Sequence, residues 1–210
     1  GGSITSIDVF GRMDAMKTEY DLSGKTVVIT GASSGIGFSA AKQLAGLGAF
    51  VIALGRDAGR CRQAGEKIME AYPDAAIRYS AFDLSSQKQV REAAESIKQI
   101  AAAHGNGVVD VLINNAGAFS SWYVSTPEGF ELQWAVNHLA PFLLTNELLP
   151  LIKSAPAGRV LTVSSGSHYR TRIHWKDVLM RKHYNCLGAY KQSKLANVLF
   201  TRELNKKLGN

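Results

Sequence analysis

Apolar positions along this chain fall into two alternating patterns, short continuous runs and stripes of helical period. Thr-Val-Val-Ile at 26–29 is a β-branched run that predicts a buried strand. Ile36, Ala40, Leu44 and Leu47 then recur at helical spacing, and Gly48 closes that helix. A second strand is predicted at about Phe50–Leu54, followed by a helix with Cys61, Ala64, Ile68 and Ala71 on one face and Pro73-Asp74 as its stop. A third strand covers about Ala76–Ala81. Ser86 and Gln89 then make a capping-box pattern ahead of the stripe Val90, Ala94, Ile97 and Ala101, which His104-Gly105 ends. Val109–Ile113 reads as a fourth strand. Thr126-Pro127-Glu128, as N-cap, N1 proline and first-turn acid, predicts that another helix opens there. Its continuation carries Pro141, so a kink or restart is expected near Asn137. A fifth strand is predicted at Arg159–Ser164, and a last helix from about Leu187 towards Leu208.

Such alternation predicts an α/β fold, a doubly wound parallel sheet of Rossmann type with helices on both faces. One domain is expected over 22–210, preceded by an extension at 1–21 whose opening Gly-Gly-Ser carries no fold information. Ligands of such sheets bind beyond the carboxyl ends of the strands, at the switch point. The residues to inspect are therefore Thr30–Gly37, Gly55-Arg56, Asp83-Leu84, Asn114–Gly117 and Ser164-Ser165.

Composition narrows the function classes. At 210 residues, 46% hydrophobic and 20% charged, the chain has the makings of one soluble domain with a sizeable core. It has no apolar run of membrane-spanning length. Cys61 and Cys186 are too few for a disulfide framework or a zinc site, so a reducing, cytoplasmic setting is the default expectation and no metal is expected. The net charge of +7 is uneven: residues 153–210 hold 12 Lys/Arg against 2 Asp/Glu. With no nucleic-acid motif beside it, that excess reads as a solvated basic face.

Chemistry enters at the strand ends. Gly31-Ala32-Ser33-Ser34-Gly35-Ile36-Gly37 is a glycine turn between a strand and a helix. Its backbone N–H groups and the positive helix end suit a dinucleotide pyrophosphate. After the second strand, Gly55 leaves the usual ribose-binding acid position empty and Arg56 follows, a planar cation suited to the 2′-phosphate of NADP. Asp57 is assigned to capping the next helix. Tyr190 and Lys194, at i and i+4, share one face of the last helix. A phenol is a weak acid, and a nearby ammonium favours its ionised form, so the pair is suited to exchanging a proton with a carbonyl or alcohol. Ser165 or its neighbour Ser164 ends the fifth strand and could bond the substrate oxygen; alternation alone does not choose between them. Asn137, midway along an apolar helix, needs a partner or serves as the helix-break residue.

Together, T-G-A-S-S-G-I-G at 30–37, F-D-L at 82–84, N-N-A-G at 114–117, N-H-L at 137–139, V-S-S at 163–165 and Y-K-Q-S-K at 190–194 resemble the short-chain dehydrogenase/reductase family from about Leu22 onward. The resemblance implies a catalytic group of Asn137, Ser165, Tyr190 and Lys194. The serine would position the carbonyl oxygen and the tyrosine act as acid/base. The lysine would assist the tyrosine and bind the nicotinamide ribose, while the asparagine helps hold a relay water. It also implies cofactor contacts from Gly31, Ser33, Ser34, Gly35, Ile36, Gly37, Arg56, Asp83, Leu84, Asn114, Ala116, Gly117, Tyr190 and Lys194, and it favours Ser165 over Ser164. NADP(H) is expected in preference to NAD(H).

Two departures refine this. Ser165 and Tyr190 lie 25 residues apart, about twice the gap of many members. With S-K-L-A-N-V-L-F-T-R-E-L after the tyrosine, this resembles the retinol-dehydrogenase-like subgroup, whose eukaryotic members are often membrane-anchored. The inserted segment 166–187 is expected to be a lid over an apolar substrate or an ordered surface excursion. Family members also continue into a further strand and a substrate-binding segment, so C-terminal strands and one wall of the pocket are expected to be missing. The resulting expectation is an NADP(H)-dependent oxidoreductase interconverting a carbonyl and an alcohol, with a homo-oligomer implied by resemblance. The competing expectation is a catalytically silent NADP(H)-binding or interaction protein of the same fold.

Overall fold

The structure, a computed structural model, describes residues 20–208. The predicted extension up to residue 19 lies outside the described residues. Five parallel strands form one sheet in the order β3-β2-β1-β4-β5. They are β1 (Thr26–Thr30), β2 (Phe50–Gly55), β3 (Ile77–Ala81), β4 (Val111–Asn114) and β5 (Arg159–Thr162). Val28 of β1 faces Ile52 on one side and Leu112 on the other. The chain winds outward from β1 to β3, then returns across the sheet to β4. The switch point therefore falls between β1 and β4, where a crevice opens at the carboxyl ends.

β1 and β2 are buried at every position, which is why their sequences run apolar without alternation. Side chains still divide by the strand period of two. Val28, Ile52, Leu54 and Leu112 face helices α3 (Gln87–His104) and α4 (132–154), while Val27, Ile29, Val51 and Ala53 face α1 (Gly35–Gly46) and α2 (Ala58–Ala71). The predicted stripe of α3 is fully buried, as are Leu144 and Leu148 of α4 opposite it.

Helix starts agree with sequence chemistry in two places. Asp57 accepts from the Arg60 N–H at 2.8 Å, and Ser86 accepts from the Gln89 N–H at 3.4 Å. The Gln89 side chain does not close the box, because it accepts the Asp83 N–H at 2.9 Å instead.

Two expectations are corrected. α1 buries the narrow stripe Gly37, Ala41 and Ala45, and Ile36 is 80% exposed. Close packing of the helix start on the sheet admits only small residues there, so the bulky residue turns to the crevice. Nor does a helix open at Thr126. Thr126–Gly129 is a turn, with Thr126 accepting from Gly129 N–H at 2.9 Å. Glu128 leaves this turn to take the Ser86 hydroxyl (2.8 Å) and the Gln87 N–H (3.0 Å), completing the cap of α3. The helix starts after Glu131, whose buried carboxylate accepts the N–H groups of Gln133 and Trp134 at 2.9 and 2.7 Å.

That helix, α4, runs through Leu132–Trp134, a π-helical turn Ala135–Leu139 and Ala140–Ser154. The expected irregularity near Asn137 is this turn, and Pro141 accounts for it. Proline has no N–H for the carbonyl four residues back, that of Asn137, and its ring crowds the same carbonyl. The ladder widens by one residue, so that Ala140 N–H reaches Ala135 O. The last helix, α5 (Cys186–Leu208), packs across this turn. No helix among the described residues is long and apolar enough to cross a membrane.

Candidate active site

The glycine turn leaves β1 at Thr30. Thr30 Oγ1 accepts the N–H groups of Asn115 and Ala116, both at 3.0 Å. Asn115 Nδ2 donates in return to the carbonyls of Thr30 and Gly31 at 3.0 and 3.3 Å. The loops after β1 and β4 are thus stitched together across the switch point. Gly31 has φ +67°, and a Cβ there would stand 2.8 Å from Ala116 Cα. At Gly37 a Cβ would collide with the Gly31 carbonyl. Both positions therefore need glycine.

Above this loop lies a cleft of about 680 Å³. It is lined by Ser33, Ser34, Gly55, Arg56, Asp57 and Arg60 following β1 and β2, and by Phe82, Asp83 and Leu84 following β3. Asn115, Ala116, Gly117, Ala118 and Phe119, following β4, also line it, with Val136 beside them. Ile36 lines the cleft as well. The loop residues Gly31, Ser33, Ser34, Ile36 and Gly37, with Arg56, Asp83, Leu84, Ala116 and Gly117, therefore meet in one groove. Asn114 does not join them. Its amide points beneath the sheet end and donates to Thr145 Oγ1 at 3.0 Å. Arg60, one turn after Arg56, is an addition; the R-D-x-x-R spacing carries that signal. The gap at residue 55 has a structural cause: a Cβ would lie 2.5 Å from Cys61 Sγ and 3.0 Å from Ser33 Cβ. No carboxylate fits there. These features suit a nicotinamide dinucleotide: a loop approach that side chains would fill, and two guanidinium groups at one end.

Asn137 of α4 and Lys194 of α5 both border Gly117, Tyr190 stands near Lys194 on the same helix, and Ser165 lies on the segment after β5. Asn137 is fully buried. Its Oδ1 accepts from Ala118 N–H at 2.7 Å, and its Nδ2 donates to Ala118 O and Ser193 Oγ, both at 3.0 Å. The Asn137 carbonyl, released by Pro141, accepts from Asn197 Nδ2 at 2.7 Å. Asn197 is a site neighbour the sequence reading missed. Its clue was its place on α5, three residues beyond Lys194 and facing the same helix.

Lys194 is 4% exposed. Its ammonium donates to Val163 O at 3.2 Å and stands 5.6 Å from the centre of the Tyr190 ring. Burial pushes the Lys194 ammonium below its usual range, since charge is disfavoured away from water. A Cβ on Gly117 would lie 3.6 Å from both Asn137 Oδ1 and Lys194 Nζ, so both side chains border the Gly117 backbone. Phe119 meets the Tyr190 ring edge-on, centroids 5.9 Å apart at 70°. Ser164 and Ser165 part company here. Ser164 Oγ donates to Lys194 O at 2.8 Å, whereas Ser165 Oγ accepts the Ser167 N–H at 3.2 Å and keeps its own proton for another partner.

The inserted segment is strapped down from both sides. Gln192 of α5 donates to Val178 O at 2.6 Å and accepts from His174 N–H at 3.2 Å. Tyr184 bonds Ser120 O and Glu131 Oε1 and accepts from Gln133 Nε2 at 2.8 Å. Ile173 packs with Trp134 and Ala196, while Trp175 remains 78% exposed. The segment is an ordered excursion tied to the start of α4.

The sheet order and the glycine turn at the carboxyl ends of the strands are those of a Rossmann-type fold, and the short chain dehydrogenase family profile matches residues 25–210. The chain belongs to the short-chain dehydrogenase family. Among curated relatives it is 42% identical over 195 residues to mouse (Mus musculus) retinol dehydrogenase 14, covering 88% of this chain and 57% of that protein. It is 41% identical over 207 residues to Bos taurus retinol dehydrogenase 12, covering 97% and 63%. The chain thus spans about three-fifths of the length of these relatives. An uncharacterised protein from Mycobacterium paratuberculosis superposes with a TM-score of 0.77 at 38% identity, covering 90% of this chain and 65% of that one. A metagenomic short-chain oxidoreductase in complex with NADP gives 0.71 at 30% identity, covering 89% and 77%.

Proposed function

We propose that this chain carries the cofactor-binding and catalytic part of an NADP(H)-dependent oxidoreductase that interconverts an apolar carbonyl compound and its alcohol. The observation that carries the reading is the convergence at Gly117: the buried Lys194 ammonium, the clamped Asn137 amide and the Tyr190 ring meet where the dinucleotide cleft ends. The cofactor, when bound, supplies or receives the hydride. The chain's own residues do the rest.

Gly31, Ser33, Ser34, Gly35, Ile36 and Gly37 would receive the pyrophosphate on backbone N–H groups. Asp83, Leu84 and Ala116 would flank the adenosine half, while Asn114 would support the sheet end beneath them. Arg56, with Arg60 beside it, would take the 2′-phosphate. Lys194 would bond the nicotinamide ribose and hold positive charge under Tyr190, which gives the carbonyl oxygen its proton during reduction and takes it back during oxidation. Ser165 Oγ donates to that oxygen and fixes its place. Asn137 holds the Ala118 backbone, and through Ser193 the turn of α5 that carries Tyr190. Phe119 and Leu132, both lining the cleft, give the substrate an apolar approach.

The retinol dehydrogenases among its relatives make retinoids one substrate class to try, and the NADP in a structural neighbour supports the cofactor preference. The test is NADPH oxidation by the purified chain with aldehydes and ketones of graded apolarity, retinal included, alongside titration with NADPH and NADH. Turnover with tighter NADPH binding is expected. Binding of neither cofactor would overturn the reading, and binding without turnover would leave a silent binding domain.

A further inference from the structure

Tyr79 stands outside the cleft, on the outer strand β3, and plays no part in the mechanism above. Its ring lies across α2 where Gly65 leaves room for it; a Cβ on Gly65 would be 3.4 Å from Tyr79 Cδ2. From there the hydroxyl reaches over β2 to the glycine turn and donates to the Ala32 carbonyl at 2.8 Å. Ala32, itself fully buried, donates its N–H to Leu54 O of β2 at 2.9 Å. The two peptide groups flanking Ala32 are therefore held by two different strands.

The consequence follows from peptide geometry. In a planar trans peptide the C=O and the next N–H point in opposite directions. With the Ala32 carbonyl drawn towards Tyr79, the Ser33 N–H is turned the other way, and Ser33 borders the cleft. Among the described residues no protein group accepts from that N–H. Burial pushes the Tyr79 phenol well above its usual range, with Cys61 adding to the effect, so its hydroxyl stays a proton donor at any working pH.

We propose that Tyr79 is a positioning residue for the dinucleotide: by anchoring the Ala32 carbonyl it orients the Ser33 N–H towards the bound anion. This rests on the cofactor reading above. It differs from the role given to Arg56, because a backbone donor in the turn serves the part common to both dinucleotides, whereas Arg56 serves only the 2′-phosphate.

Tyr79→Phe keeps the ring and removes the anchor. NADPH and NADH should both bind about five- to tenfold more weakly, and the NADPH-to-NADH preference should stay that of the parent. At saturating NADPH the turnover rate should be unchanged, so the loss appears in the cofactor KM alone. Arg56→Ala, run beside it, should weaken NADPH only. Unfolding midpoints without cofactor separate the alternative in which the bond serves stability. A Tyr79→Phe protein of lowered midpoint that bound both cofactors like the parent would overturn the proposal, as would a loss confined to NADPH. If the parent bound neither cofactor, the functional reading would fall and this proposal with it, a result distinct from either.

Discussion

Asn197 Nδ2 donates to the carbonyl of Asn137 at 2.7 Å, joining the helix of Tyr190 and Lys194 to the π turn of α4. The carbonyl is available because Pro141 supplies no N–H. Asn197 Oδ1 in turn meets His138 Nδ1 at 3.2 Å. With Asn197 Nδ2 donating to Asn137, the ring nitrogen is the donor in that contact. Burial holds the His138 imidazole below its usual range, despite the Asn197 bond, and so favours the neutral ring.

Asn197→Leu keeps the volume and orphans a fully buried carbonyl. It should cost about 1–3 kcal/mol of folding free energy, read from the urea midpoint, and should lower turnover through the misplaced Asn137. Unchanged stability and rate would mean that the carbonyl finds another partner and that the turn stands by itself.

Lys194→Met should separate stability from activity. The folded state holds the ammonium below its usual range through desolvation, so at neutral pH that charge costs stability. The cost fades as pH rises through the lowered folded value towards the unfolded one. The methionine variant should therefore have a higher unfolding midpoint than the parent at pH 7 and a collapsed turnover rate. A lower midpoint would show that the bond to Val163 outweighs desolvation.

The missing acid at residue 55 leads to a cofactor test. Gly55→Asp should not convert the chain to NADH, because Cys61 Sγ occupies the space a Cβ needs. The single variant should bind both cofactors poorly. Adding Cys61→Ala should restore folding and shift preference towards NADH, as judged by titration. A single variant that binds NADH well would contradict the crowding argument.

Much of the architecture was legible because β1, β2 and the stripes of α2 and α3 obey simple periods. The start of α4 was not. Thr126-Pro127-Glu128 has every local feature of a helix start, yet Glu128 is drawn across to cap α3 and Glu131 takes its place, a tertiary contact 41 residues away in sequence from its Gln87 partner. Ile36 misled for a related reason: its spacing is helical, but α1 packs so close to the sheet that glycine and alanine form the buried stripe. In the site, Asn137 and Lys194 both border Gly117 and Lys194 lies near the Tyr190 ring, whereas Asn114 turns away from the cleft. What sequence could not give was support from other elements, such as Asn197 behind Asn137, Tyr79 behind Ala32, and the turning of Asn114 to Thr145.

Acid stability depends on the far end of the sheet. Asp110 is buried between β1 and β4. Burial opposes its ionisation, but the Thr26 N–H, the Asn106 amide and Lys25 outweigh this and hold its carboxyl below the usual range. A carboxylate lowered in the folded state contributes stability above its unfolded value, near ~3.9, and loses it as pH falls through the folded one. Asp110→Asn should cost about 1–3 kcal/mol at pH 7, and the gap to the parent should narrow below about pH 4. A gap that held constant down to about pH 2 would contradict this assignment.

The most direct measurement is carbonyl reduction by Tyr190→Phe beside NADPH titration of the same protein. Phenylalanine keeps the ring against Phe119 and above Lys194, so folding and NADPH binding should match the parent. Positioned acid–base catalysis is worth about 10²–10⁴ in rate, and turnover should fall by at least that factor. A Tyr190→Phe protein that binds NADPH and reduces the substrate at close to the parent rate would contradict the mechanism.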